Sequence, residues 1–103
     1  MTATTDADPA ERARAIVEDI PLGRRQRRIV DLFVARFGRW TSTETLREAV
    51  WADDPEGGPA SARQTLAAQI HHIRRRLGPH GLTIQGHSSG NRRLIFTSDE
   101  AHS

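Results

Sequence analysis

Residues 62–78 read "ARQTLAAQIHHIRRRLG". Taking about 100° per residue, Leu66, Ile70, Ile73 and Leu77 fall within a seam roughly 60° wide. Gln64, Ala68, His71 and Arg75 form a second stripe on the opposite side, with the same i, i+4, i+7, i+11 spacing. The first stripe is suited to docking on a hydrophobic core. The second is slim at Ala67 and Ala68, and Arg74, Arg75 and Arg76 follow in succession. An α-helix reads the DNA major groove only if its outer face is narrow enough to approach base edges. The competing reading is a solvated face, because alanine and arginine are also good helix formers. Ser61 and Gln64 stand in capping-box register, and Gly78-Pro79 predicts the helix end.

Upstream, "TSTETLREAVW" (41–51) predicts a helix with Leu46, Val50 and Ala49 inward. Thr41 and Glu44 are in capping-box register, with Ser42 as the competing cap. "RRQRRIVDLFVARFG" (24–38) predicts another, with Ile29, Leu32, Phe33 and Phe37 at helical spacing and Gly38 as its stop. The link 39–40 is extended, with Trp40 expected inward. Asp8-Pro9-Ala10-Glu11 is a helix start, and Ala13, Ile16, Val17 and Ile20 give a weak apolar stripe, either a docked extension or a frayed arm. "ADDPEGGPA" (52–60) is a loop by composition. Downstream, Leu82–Gln85 and Arg92–Thr97 are strand-like, and Gly86, Gly90 and Asn91 between them signal a hairpin. Three core helices followed by a hairpin predict an α+β fold, a winged helix-turn-helix with an extra N-terminal helix. The expected divisions are an acidic N-terminal arm over 1–21, the domain over 22–97, and a disordered tail over 98–103.

The length of 103 residues suits one domain with a modest core. Without cysteine there is neither a disulfide framework nor a thiolate metal site. No apolar run approaches a membrane span, and the N-terminal stretch lacks the apolar run of a secretion signal, so the expectation is a cytoplasmic protein with no membrane partner. The net charge of +2 hides a partition: residues 22–97 hold thirteen arginines against six acidic residues, while both ends are acidic. A basic middle points to a polyanionic partner. Every basic residue is arginine, which suits bidentate recognition of phosphate and guanine; GC-rich codon usage explains the same bias equally well.

Three stretches carry a family resemblance: "LGRRQRRIVDLF", "GRWTSTETLREAVW" and "TLAAQIHHIRRRLG", the last ending in Ile73-Arg74-Arg75-Arg76-Leu77. In this order, Leu22 to Phe96 resembles the DNA-binding effector domain of OmpR/PhoB-type response regulators. The resemblance implies a winged helix-turn-helix, sequence-specific binding of double-stranded DNA, and a stand-alone regulator of bacterial or phage kind. There are three departures. Only 21 residues precede the match, so no receiver domain with its phosphorylated aspartate is expected. Asn91-Arg92-Arg93-Leu94 replaces a Gly-Tyr-Arg-Leu-like run in the wing. Ala67 stands where an acidic residue is common.

The site follows from the helix face and the hairpin. In such motifs the helix N-terminus points into the groove, so Arg63, Gln64, Ala67, Ala68 and His71 are the expected base readers. Arg74, Arg75 and Arg76 are the expected phosphate contacts. Arg24 and Arg25 join them, because with Arg27 and Arg28 they crowd a helix start where the macrodipole disfavours cations. These four alternatively lie in solvent or pair with the acidic arm. Arg92, Arg93 and Asn91 are placed at the minor groove, where at most one of two successive strand arginines enters easily. The resemblance implies RNA polymerase as a partner for the loop carrying Asp53, Asp54 and Glu56, which is otherwise a solvated turn. A homodimer through the N-terminal helix, or tandem copies on DNA, are the self-association modes considered. The five histidines fit no zinc pattern, no catalytic constellation is present, and no cofactor or enzyme activity is expected. The rival function is a winged helix used for protein contact, as an antirepressor or regulatory-complex subunit. RNA binding is weaker, since the stacking aromatics of common RNA modules are missing.

Overall fold

The structure is a computed structural model that describes residues 8–56 and 58–98 in full and the backbone of 99 and 100. Asp8 caps α1 (Pro9–Glu18), its carboxylate accepting the Ala10 N–H at 3.1 Å, and Pro9 opens the first turn, where no N–H is needed. Ala13, Val17 and Ile20 are buried in the same cluster as the rest of the core, so this segment is a docked extension. Its last turn closes with the Asp19 N–H on Ile16 O and the Ile20 N–H on Val17 O, and the carbonyls at its end keep room for further donors. Arg27 supplies them, donating to Val17 O at 2.8 Å and Ile20 O at 2.7 Å. Residues 1–7 of the expected acidic arm lie outside the described residues.

α2 (Arg24–Ala35) buries Ile29, Val30, Phe33 and Val34, while Leu32 and Phe37 are only half-buried at the edge of the core. Gly38, at φ 78°, turns the chain and donates its N–H to Leu94 O. Thr41 then exchanges backbone hydrogen bonds with Arg92, at 2.7 and 2.9 Å, forming an isolated bridge on the edge of the hairpin. Thr41 is fully buried, and strand alternation therefore sends Trp40 outward. The expectation of an inward Trp40 is corrected: it is 37% exposed. Ser42 caps α3 (Thr43–Val50), its Oγ accepting the Thr45 N–H at 3.1 Å, and Thr41 is lost to capping because it belongs to the bridge.

α4 (Ala62–Leu77) seats Ala62, Leu66, Ile70, Ile73 and Leu77 in the core, and packs against α2, α3 and the first hairpin strand. Ser61 occupies the N-cap position, yet its side chain makes no capping bond. Its backbone, at φ −91° and ψ 19°, is not in the extended conformation that capping favours, so the expected S-x-x-Q box does not form. A short 3₁₀ turn, Gly78–His80, ends the helix and Gly81 leaves it at φ 82°.

β1 (Leu82–Gly86) and β2 (Arg92–Phe96) pair antiparallel in the register Leu82↔Phe96 to Gly86↔Arg92. Leu82, Ile84 and Leu94 face the core, and Thr83, Gln85, Arg93 and Ile95 take the outer face. The tip closes through His87 N–H to Asn91 O and Gly90 N–H to His87 O. The segment 98–103, expected as a tail, begins inside a helical turn, α5 (Thr97–Glu100), because Thr97 anchors its N–H and Oγ1 on Gly81 O. Residues 101–103 lie outside the described residues. The whole is an α+β winged helix-turn-helix, α2 to α4 plus the hairpin, preceded by α1. Among the described residues no helix is long and apolar enough to cross a membrane.

Candidate nucleic-acid interface

The outer stripe of α4 stands clear of the protein. Arg63, Gln64, Ala67, Ala68, His71 and Arg75 are all exposed, opposite the buried seam. Among the described residues none of them enters the core, and the ring contact of His71 is with its exposed neighbour His72 at 5.8 Å. The orientation of α4 is fixed from its flank, where Gln26 Nε2 donates to Gln69 Oε1 at 3.0 Å and Gln26 Oε1 accepts the Gly23 N–H. That link ties the start of α2 to the middle of α4.

The three consecutive arginines divide by role. Arg74 Nε donates to Ile84 O at 3.0 Å, binding α4 to β1. Arg76 Nη1 donates to Pro21 O at 3.0 Å, binding α4 to the end of the α1 segment. Arg75 makes no hydrogen bond or ion pair among the described residues. Arg74 and Arg76 are exposed and keep further N–H donors, but each is also a structural tie that helical spacing alone does not reveal.

The same division holds at the start of α2. Arg27 closes α1, and Arg28 donates to Val50 O and pairs with Asp53, both at 3.0 Å. Arg25 lies over the Trp51 ring at 5.4 Å, and Arg24 is exposed. Of the two alternatives for these arginines, solvent or the acidic arm, Arg27 meets the arm through its backbone carbonyls, and among the described residues none of the four pairs with a carboxylate of the arm. In the loop, Asp53 faces Arg28, Asp54 accepts the Glu56 N–H at 2.9 Å, and Glu56 is exposed. Gly58 holds φ 101° with its Cα against Trp51, whose ring would lie 2.8 Å from any added Cβ.

At the wing, Arg92 and Arg93 face opposite sides. Arg92 Nη1 donates to Gly90 O at 3.2 Å and to Thr43 Oγ1 at 3.5 Å. Burial first, and then the neighbouring Arg74 charge, lower its guanidinium pKa. Arg93 Nε donates to Gln85 Oε1 at 2.7 Å, and its guanidinium stacks 4.5 Å over the Trp40 ring, which His87 meets edge-on at 5.5 Å. Asn91 is half-buried at the tip, its N–H on Ser89 Oγ. Trp40 and Gln85 were missed by sequence reasoning. Gln85 stands opposite Arg93 because the pairing runs on to Gly86↔Arg92, one residue past the expected strand end, and the direction of Trp40 depends on the Thr41–Arg92 bridge.

The electrostatics are one-sided. Residues 57–98 contain six arginines, four histidines and no acidic residue. This stretch supplies both α4 and the wing, so the surface they form has no carboxylate of its own to oppose a phosphate backbone. Among the described residues no three His, Asp or Glu side chains gather as a metal-ligand set.

The family model for transcriptional regulatory proteins, C terminal, matches residues 17–89, from the last two residues of α1 to the hairpin tip. No curated protein matches the chain. The match covers more than half of the sequence and all of α2, α3 and α4. The chain therefore belongs to the transcriptional regulatory protein C-terminal family, as a winged helix-turn-helix domain of OmpR/PhoB type that binds double-stranded DNA in transcription regulation.

Proposed function

We propose that the chain is a sequence-specific regulator of bacterial or phage kind, working in the cytoplasm, that lays residues 61–77 in the major groove and the wing, 85–93, at the minor groove. The observation that carries this is the exposed stripe of α4, slim at Ala67 and Ala68, set in a stretch without one acidic residue. Gln64 has the donor–acceptor pair that matches adenine, and His71 and Arg63 can donate to guanine N7 or O6. Arg75 and Arg24 are the phosphate contacts with no internal bond among the described residues, helped by the remaining donors of Arg74, Arg76 and Arg25. The wing contact is drawn from among Arg92, Arg93 and Asn91. The working unit is 22–97 with α1 as its packed extension.

RNA polymerase is the partner proposed for Asp53, Asp54 and Glu56, on the strength of the exposed Asp53 and Glu56 with the half-buried Asp54 between them. For self-association, α1 and the residues after it spend Ala13, Val17 and Ile20 on the chain's own core, which favours tandem copies along DNA over dimerisation through that helix. A salt titration on duplex DNA tests the reading. With roughly four to six phosphate contacts, the log–log slope of affinity against salt should be about −4 to −5. Affinity that stays millimolar at low salt would instead favour a protein-contact module.

A further inference from the structure

The fold treats its two wing arginines oppositely. Arg92 turns to the core side of the hairpin, half-buried, with Gly90 O and Thr43 Oγ1 as its acceptors and the Arg74 cation beside it. Arg93 stands on the outer face, next to the hairpin tip. Its Nε is held by Gln85, directly across the strand pair, and its plane is held by Trp40. Neither Nη of Arg93 has a partner among the described residues. The guanidinium is thus fixed at its inner edge and open at its outer fork.

We infer that Trp40 and Gln85 are positioning residues that hold Arg93 as the wing's DNA-contacting side chain, while Arg92 is committed to the wing's own structure. The inference rests on the DNA-binding reading above and deepens it. A long side chain ordered before contact loses less rotamer freedom when the partner arrives, and arginine's planar fork keeps that advantage for a phosphate or a narrow minor groove. The arrangement also accounts for Trp40, the large hydrophobic left exposed among the described residues: its indole is a platform for the cation instead of a core side chain.

The test is the duplex affinity of the full chain, using a duplex that the native chain selects from a randomised pool. Arg93→Ala is expected to weaken binding by about tenfold and to reduce the salt slope by about 0.9. Trp40→Ala keeps the charge, so it should weaken binding about two- to fivefold with the slope unchanged, and Trp40→Phe should restore most of the loss. In the Arg93→Ala background, Trp40→Ala and Gln85→Ala should add nothing. Gln85→Ala supplies the same cycle should Trp40→Ala fail to fold. Losses that simply add, or a larger loss from Arg92→Ala than from Arg93→Ala, overturn the inference alone. Absence of duplex binding by the native chain overturns it together with the function.

Discussion

Ala68→Glu separates stability from function more sharply than any other single change. Ala68 is exposed at the middle of the outer stripe, between Gln64 and Arg75. Glutamate is also a good helix former, so the folded state should lose less than about 0.5 kcal/mol. The new carboxylate would have His71 and His72 three and four residues ahead, which is favourable on a helix if anything. Against DNA the same change adds bulk where the helix makes its closest approach and sets like charges together. Such juxtaposition costs several kcal/mol; about 2–4 kcal/mol corresponds to roughly thirty- to a thousandfold weaker binding. Fluorescence anisotropy with a labelled duplex measures the loss, and urea unfolding followed by tryptophan emission checks the fold. Ala68→Gln, of equal size and no charge, divides bulk from charge. A folded glutamate variant that binds duplex DNA with native affinity would refute the placement of this face in the groove.

Arg27→Ala removes two donors from the α1 segment; Val17 O keeps the Ile20 N–H but Ile20 O loses its donor, so urea unfolding should show a loss of about 1–2 kcal/mol. Gln64→Ala should relax sequence preference in a selection from randomised duplexes while leaving non-specific affinity nearly unchanged. Gly58→Ala meets both an unfavourable φ and the Trp51 ring, and thermal melting should report about 2 kcal/mol of destabilisation.

The sequence was most informative where periodicity acts alone. Leu66, Ile70, Ile73 and Leu77 are buried as their spacing predicts, because a helix is a local object and its faces follow from 3.6 residues per turn. The hairpin was legible for a similar reason: two short apolar runs with glycine and asparagine between them allow few connections. What escaped were features set by distant partners. Trp40 faces out because Thr41 bridges to Arg92, fifty-one residues later, and no local pattern announces that pairing. Arg27, Arg28, Arg74 and Arg76 all reach backbone carbonyls, yet their neighbours in sequence look the same as those of Arg24 and Arg75. A long side chain sweeps a wide volume, so its acceptor is decided by tertiary packing. Ser61 shows the converse case: the capping motif is present, but the loop delivers the chain at a backbone angle that the motif does not accept.

Backbone amide chemical shifts, followed while selected duplex DNA is titrated into the labelled protein, test the central claim most directly. Perturbation concentrated on residues 63–76 and 86–93, with 9–18 nearly still, is the outcome predicted here. Shifts gathered on α1 or on the 52–56 loop, with the outer face of α4 unmoved, would contradict it.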